Sequence, residues 1–183
     1  MIIRDTTIAD YGQIAEIYAY AREQMRQAGN PCQWGDDRPS EETLLKDIRN
    51  GQSHLLEEQG LIRGVFTFII GEDPTYRIIR QGQWLNDAPY GTIHRIAGSG
   101  AGKGVFRECL AYCMSRISNI RIDTHRDNAI MRHLLEKHGF QECGIIYVED
   151  GSPRIAYQIN CQLHSSVNLL RPTSSLSSPS GNS

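Results

Sequence analysis

Long apolar runs are missing from this 183-residue sequence, and none approaches the roughly 20 residues that a helix needs to cross a bilayer. The chain does not open with a basic segment followed by an apolar one, as a secretory signal peptide would. Neither sign of charge is in excess, since 19 basic and 21 acidic residues leave a net charge of −2. We therefore expect no membrane and no nucleic-acid partner, and any anion site must be local.

Cysteine is scarce, with five residues at wide spacings, and an odd number does not suit a disulfide framework. Several lie in apolar stretches, so we expect small core residues in a reduced, cytoplasmic compartment. Cys109 and Cys113 are four positions apart on a predicted helix, as metal ligands can be. Because no second such pair lies nearby, we interpret them as core residues and predict no metal site.

The remaining composition is typical of a globular domain, with 39% hydrophobic and 22% charged residues. Periodicity and turn residues predict a mixed α/β domain over 1–162, in the order β-α-α-β-β-β-α-β-α-β-β. Strands are predicted at 1–4, 54–57, 61–70, 92–97, 119–124, 143–148 and 154–160, and the later helices at 104–116 and 128–138. Residues 163–183 are rich in Ser and Pro and predict a disordered tail.

A polar, irregular stretch at 71–90 is long for a loop in a compact domain, and such loops are usually functional or mobile. It carries Trp84 and Tyr90, and an earlier loop carries Trp34. We expect these two loops to border a binding pocket. Plain packing of the aromatic rings is the alternative.

A glycine-rich turn, Gly98 to Gly104 with the sequence GSGAGKG, lies between a predicted strand and a predicted helix. Its glycines let a ligand approach the backbone closely, and the helix start adds unpaired N–H groups and the positive end of its dipole. Lys103 adds a positive charge. These features predict a site for phosphate oxygens, with a ligand-free linker turn as the alternative.

Two well-known phosphate motifs do not fit this turn. A P-loop would need glycine at position 97 and Ser or Thr at position 104, where the chain has Ala97 and Gly104. A dinucleotide-binding fingerprint would need its third glycine at Lys103 or Val105. The turn therefore belongs to neither class.

The residues after the turn extend the pattern. The strand at 119–124 is followed by Asn128 and by a helix that ends in Gly139 and Phe140. This arrangement resembles the acetyl-CoA-binding core of the GCN5-related N-acetyltransferase (GNAT) superfamily, in which the turn reads Q/R-x-x-G-x-G/A and the later stretch roughly N-x-x-A-x-x-L-Y-x-x-x-G-F. Asn128, Leu134, Gly139 and Phe140 keep that spacing. The resemblance covers nearly the whole chain to residue 160. It implies a GNAT-like mixed, mostly antiparallel sheet with a central, splayed parallel strand pair, flanked by helices.

The resemblance also implies acetyl-CoA as the co-substrate. The main chain of Ile96 and Ala97 would hold its pantetheine, and Asn128 would hydrogen-bond it from the other side. The turn aligns with the family's pattern in two registers, and we prefer the one ending at Phe106 because it agrees with the apolar stripe of the helix. In either register the pyrophosphate would lie on the backbone amides of Gly102, Lys103, Gly104, Val105 and Phe106.

By the same resemblance an amine attacks the thioester directly, so no enzyme nucleophile is needed, and a backbone amide polarises the thioester carbonyl. His94 is our first choice as general base, because an unperturbed imidazole has a pKa of about 6.5. A histidine packed under the sheet is the alternative. The other candidate bases are Glu72, Asp123, His125 and Glu149.

The family's general acid is the tyrosine of its L-Y pair, and Leu135 stands at that place in this chain. Tyr147 on the following strand is a candidate replacement. The thiolate can also leave unassisted, because a thiol pKa of about 8.5 makes it a tolerable leaving group.

The sequence therefore predicts an N-acetyltransferase that acts on a primary amine of a small molecule. The missing tyrosine leaves open a GNAT-fold protein that binds acyl-CoA without transferring the acyl group. A non-enzymatic α/β interaction module is a further alternative. Whether the chain is a monomer or a homodimer is also left open.

Overall fold

The computed structural model describes residues 1–161, and the predicted tail at 163–183 lies outside them. The strands are β1 (Ile2–Asp5), β2 (Ser53–Glu58), β3 (Leu61–Ile70), β4 (Gly91–Gly98), β5 (Asn119–Thr124), β6 (Gln141–Tyr147) and β7 (Pro153–Asn160). The α-helices are α1 (Tyr11–Gln27), α2 (Glu41–Arg49), α3 (Val105–Met114) and α4 (Ala129–Lys137). This order of elements is the predicted one. In the described part of the chain, no helix is long and apolar enough to span a membrane.

The strands form one sheet in the order β1-β2-β3-β4-β5-β7-β6. Neighbouring strands are antiparallel except β4 and β5, which run parallel. Gly91 lies opposite Ile120 and Thr92 opposite Arg121, and within residues 1–161 no further register pair joins these two strands. β4 and β5 therefore part soon after they begin and leave a wedge in the middle of the sheet. The predicted mostly antiparallel sheet with a central splayed pair, flanked by helices, is confirmed.

Both faces of the sheet are covered, because successive side chains of a strand point to opposite faces. On one face α3 and α4 pack over the largest core cluster, which includes Phe66, Ile120 and Leu135. On the other face α1 and α2 pack around Tyr18, and the 71–90 stretch packs around Tyr76. The site described below lies on this second face, between the two clusters.

The cysteines are free thiols, of which three are buried and two are exposed. Cys109 and Cys113 are fully buried in the core under α3, so their interpretation as core residues is confirmed. Burial raises the pKa of the Cys109 thiol well above its usual value.

A bulge interrupts β4 at the level where the wedge opens. Two residues of β4, Arg95 and Ile96, stand opposite Phe66 of β3. Arg95 has a φ of 52°, in the left-handed region, which costs a residue with a side chain about 1–2 kcal/mol. The Tyr18 hydroxyl donates to the Arg95 carbonyl at 2.7 Å, and the Asp47 carboxylate accepts two hydrogen bonds from the guanidinium at 2.8 and 3.0 Å. Helices α1 and α2 thus hold the bulged backbone in place.

The predicted boundaries agree with the observed ones to within about two residues, which is the usual uncertainty of helix and strand ends. β6 begins at Gln141, earlier than predicted, because the exposed Gln141 and Glu142 add backbone pairing to β7 without adding an apolar signal.

Gly91 lies in the short parallel pairing and has no room for a side chain, since a Cβ would lie 2.5 Å from two atoms of the Phe68 ring. We expect Gly91→Ala to lower the free energy of unfolding by about 1–3 kcal/mol, because the ring and the strand must shift. Chemical denaturation followed by circular dichroism measures this change.

Gly12→Ala in α1 is the matched control, because a Cβ at that position meets nothing within 4 Å. We expect it to raise the free energy of unfolding by about 0.5–1 kcal/mol. A Gly91→Ala protein as stable as the wild type would contradict the close packing of β4 at this point.

Candidate active site

A cavity of about 630 Å³ lies on the second face of the sheet, where β4 and β5 part. Side chains of β4, β5 and β7 form its floor, and its walls come from the α1–α2 loop, the 71–90 stretch and the β6–β7 turn. Both predicted loops thus border the cavity. Trp34 lines it, whereas Trp84 and Tyr90 pack on the guanidinium of Arg121, with its carbon 4.1 and 3.9 Å from the two ring centres.

His94 lies on the floor of this cavity with its side chain 17% exposed, and its Nε2 is 2.8 Å from Asp73 Oδ2. Asp73 begins a short 3₁₀ turn, Pro74–Tyr76, and caps it by accepting a hydrogen bond from the Thr75 amide at 2.8 Å. The Asp73 amide donates to the Tyr90 hydroxyl at 2.9 Å. One bond fixes the Asp73 carboxylate and the other fixes its backbone. The carboxylate is therefore positioned to orient the imidazole.

The Asp73 carboxyl is ionised at neutral pH. Burial would raise its pKa, but the hydrogen bond and charge of His94, together with the Thr75 amide, outweigh burial and lower the pKa to about 2. Asp73 accepts the Nε2 proton of His94, so Nδ1 is the ring nitrogen that can take up a proton. This Nδ1 has no hydrogen-bond partner among residues 1–161.

A second polar pair lies beside this one. The Tyr76 hydroxyl donates to Asp123 Oδ1 at 2.6 Å, and the Tyr76 ring centre is 6.0 Å from that of His94. Burial and the Asp123 charge raise the pKa of Tyr76 well above its usual value, so it remains protonated. Asp123 thus adds a carboxylate to the floor, with a neutral hydroxyl as its partner.

A smaller cavity of about 200 Å³ adjoins the first. It is lined by the end of β4, by the start of α4 and by α1, and it includes Ile96, Ala97 and Gly98. The two cavities share Met25, Ile96, Asn128 and Met131. They therefore form adjoining parts of one cleft at the wedge.

Asn128 lies at the junction and is fastened to the protein through both polar atoms. Its Oδ1 accepts from the Met131 amide at 3.0 Å, and its Nδ2 donates to Gln33 Oε1 at 2.9 Å. The same Gln33 oxygen accepts from Asn30 Nδ2 at 2.9 Å. Asn30 lines the smaller cavity, and its buried Oδ1 has no hydrogen-bond partner in residues 1–161. Asn30 thus keeps an unpaired acceptor atom beside the cleft.

The glycine-rich turn leads from β4 into α3. Gly104, at a φ of 90°, is the residue that precedes the first turn of α3. The amide N–H groups of residues 102–106 donate to no acceptor in the described part of the chain. Lys103 is exposed beside them, and Phe106 is buried against Phe140. The turn can therefore offer a row of donors and a cation to an anionic ligand.

The structure does not bring every predicted residue to the cleft. Tyr147 is 44% exposed at the end of β6 and lines neither cavity, and Leu135 is fully buried in the core. Of the other candidate bases, Asp123 and Glu149 line the larger cavity, whereas Glu72 and His125 line neither.

Among the residues of the larger cavity that were not predicted from the sequence are Asp73, Tyr76 and Arg154. Asp73 precedes a proline, which is typical of a turn rather than of a site. Arg154 carried a weak signal, because it is a charged residue next to an apolar one in a predicted strand. Their proximity to His94 depends on how the 71–90 stretch and β7 pack, which local sequence does not show.

No protein-family model matches the sequence, and no curated protein matches it. Among solved structures, an acetyltransferase of the GNAT family from Streptococcus agalactiae is 31% identical, with 87% of this chain and 94% of that chain covered and a TM-score of 0.79. A Staphylococcus aureus protein proposed to be an acetyltransferase is 25% identical, with 87% and 99% covered and a TM-score of 0.64. The protein yncA from Salmonella typhimurium, solved with its cofactor acetyl-CoA, is 18% identical, with 87% and 93% covered and a TM-score of 0.56.

The mostly antiparallel sheet with its splayed parallel pair is the fold of the GNAT acetyltransferases. The chain belongs to the GNAT family of acetyltransferases.

Asp73 should stabilise the fold in a pH-dependent way. Because folding lowers its pKa from 3.8 to about 2, its contribution is fully present above about pH 5 and is lost as the pH falls toward 2. We expect the difference in Tm between the wild type and Asp73→Asn to shrink between about pH 5 and about pH 2. Thermal unfolding across this range measures it, and a difference that stays constant would show that Asp73 is not ionised in the pair.

Proposed function

We propose that this GNAT-family chain transfers the acetyl group of acetyl-CoA to a primary amine of a small molecule. The observation that carries the proposal is the His94–Asp73 pair on the floor of a cavity that adjoins the open edge of β4. A base, a space for an acceptor and a slot for an acyl donor thus lie side by side.

Acetyl-CoA would supply an acyl group activated as a thioester, and several features of the cleft fit it. The amides of residues 102–106 lack acceptors and would hold the pyrophosphate, with Lys103 at their side. The main chain of Ile96 and Ala97 would hold the pantetheine along the wedge. The remaining N–H of Asn128 and the unpartnered Oδ1 of Asn30 would bind its amides. The acetyl-CoA complex of the fold relative yncA supports this assignment.

His94 would act as the general base. Asp73 holds the Nε2 proton, so Nδ1 accepts a proton from the substrate ammonium, directly or through a water molecule. The neutral amine would then form the N–C bond, the C–S bond would break, and the sulfur would depart as a thiolate. The nitrogen would lose its second proton to water as the amide forms. A backbone amide of the β4 bulge would polarise the thioester carbonyl.

A second candidate function, acyl-CoA binding without transfer, is favoured by the surroundings of the departing sulfur. Leu135 offers no proton, and Tyr147 lies outside the cleft. We therefore leave Tyr147 out of the proposed mechanism and propose that the thiolate leaves unassisted, which its pKa of about 8.5 allows. Release of CoA thiol in the presence of amines separates the two functions.

The cytoplasmic location, the monomeric or dimeric state, and the lack of nucleic-acid and membrane partners stay predictions from the sequence.

Acetyl-CoA should stabilise the protein against heat. A ligand that binds only the folded state, at a concentration 100 times its Kd, adds about 2.7 kcal/mol to the free energy of unfolding. We expect Gly102→Asp to reduce the shift in Tm sharply, since it places a negative charge beside the free amides on an exposed residue. Differential scanning fluorimetry measures both effects. Asn50→Asp, at an exposed turn after α2, is the control and should keep the shift. No shift in the wild type at saturating acetyl-CoA would refute the cofactor assignment.

His94→Gln should lower kcat by about 10²–10⁴-fold, because it removes the proton acceptor. The shift in Tm with acetyl-CoA should remain, since His94 lines the larger cavity and not the smaller one. Thiol release across a panel of small primary amines measures kcat. His133→Gln, on the exposed side of α4, is the matched control and should keep wild-type activity. Full activity of His94→Gln would place the base elsewhere.

A further inference from the structure

Arg154 is a buried cation on the floor of the larger cavity. It is 6% exposed, and burial lowers the pKa of its guanidinium. No carboxylate of residues 1–161 lies within 4.0 Å of it. A buried charge without a counter-ion is costly, so its position in an open cavity calls for an explanation.

The hydrogen bonds of Arg154 all go to neutral oxygens. They reach the Gln33 carbonyl at 3.2 Å, the Pro153 carbonyl at 3.0 Å and the Ser152 hydroxyl at 3.0 Å. A guanidinium has five N–H groups, so two of them have no acceptor in the described part of the chain. Arg154 thus keeps both a charge and donors for a ligand.

The other basic side chains of the cavity already have carboxylate partners. His94 pairs with Asp73, Arg95 pairs with Asp47, and Arg38 pairs with Asp150 at the rim. Arg154 is therefore the guanidinium that can receive an anion without breaking an ion pair among the described residues.

The geometry of the floor adds an anionic partner near by. Asp123 on β5 lies opposite Ala156 on β7, so Arg154, two positions along β7, projects from the same face of the sheet. Asp123 accepts from the neutral Tyr76 hydroxyl, and its charge acts on Arg154 from beyond 4.0 Å. The floor therefore presents one carboxylate and one guanidinium that have no close ionic partner, next to His94.

We propose that the acetyl acceptor is a carboxylate-bearing amine, such as an amino acid, whose carboxylate binds Arg154 while its ammonium lies toward Asp123 and His94. This inference rests on the proposed acetyl transfer and names the class of its acceptor. A carboxylate matches the fork of a guanidinium in shape and charge. The same cavity is lined by five carboxylates, which disfavour a more highly charged anion such as a phosphate monoester: Asp37, Asp73, Asp123, Glu149 and Asp150.

The test compares amino acids with their amides, which have the same side chains but no carboxylate. For the amino acid side chain that the protein prefers, we expect kcat/KM to be at least tenfold higher for the amino acid than for its amide. The amide has the more easily deprotonated amino group, so reactivity alone would favour it. Arg154→Gln should lower kcat/KM for the amino acid by about 10–100-fold. The kcat/KM for the amide should stay within about threefold of its wild-type value. Arg154→Lys should restore part of the loss, because it keeps the charge but not the fork.

Arg38→Gln is the matched control, since it removes a cation that already has a partner, and it should preserve the ratio between acid and amide. Equal kcat/KM for acid and amide in the wild type would overturn the inference, and so would an equal loss of both in Arg154→Gln. The latter result would mean that Arg154 serves to hold the Gln33 loop.

A binding measurement distinguishes a failure of the proposed acetyl transfer from a failure of the proposed carboxylate site. If no amine releases thiol, calorimetric titration of the CoA-saturated protein with an N-acetyl amino acid and with its amide still reports on the site. Tighter binding of the acid, abolished in Arg154→Gln, would support a carboxylate site without catalysis. No difference between the two ligands would overturn it.

Discussion

The Asp47 carboxylate accepts two hydrogen bonds from the Arg95 guanidinium and so stabilises a residue with a left-handed backbone conformation inside β4. A bulge re-aims the strand locally, and here it lies where β4 and β5 cease to pair. Asp47 is itself buried and also accepts from the Thr67 hydroxyl at 2.9 Å. A charged, bidentate contact of this kind can offset the cost of about 1–2 kcal/mol for the left-handed backbone. Both cavities open beside this bulge, so the shape of the cleft depends on the contact between Asp47 and Arg95. Helix α2 supplies Asp47 although it contributes little to the lining of the cleft.

The α1–α2 loop connects the two parts of the cleft through Gln33. Its side-chain oxygen binds Asn128, at the start of α4, and its carbonyl accepts from Arg154, on the floor of the larger cavity. The end proposed for the acyl donor and the end proposed for the acceptor are therefore tied to one loop residue. The 71–90 stretch has the corresponding role for the base, because its Asp73 orients His94 and its Tyr76 holds Asp123.

The parts of the fold that were predicted correctly are those with a local signal. Branched and aromatic residues are frequent in β3, and Asn119–Thr124 was predicted with its observed bounds. The predicted apolar stripe of α3, made by Val105, Cys109, Leu110 and Cys113, packs in the core as expected. The site was predictable in part. His94 was named because of its position on a strand before the glycine-rich turn, whereas its partner Asp73 is 21 residues away in an irregular loop. Tyr147 was chosen as a replacement acid, yet it lies on the surface, because an exposed strand end gives no signal of the direction in which its hydroxyl points.

The sequence by itself determined the order of helices and strands, the glycine-rich turn and the resemblance to the GNAT superfamily, because each of these depends on residues close together along the chain. The tertiary structure decided which charges meet. Arg154 and Gln33 are 121 positions apart, and Arg95 and Asp47 are 48 apart. Such pairs form because the sheet brings β7 beside β5 and the helices pack on β4, and local periodicity carries no information about those distances. The charge left unmatched in the cleft, on which the proposed class of acceptor rests, is therefore a property of the folded chain.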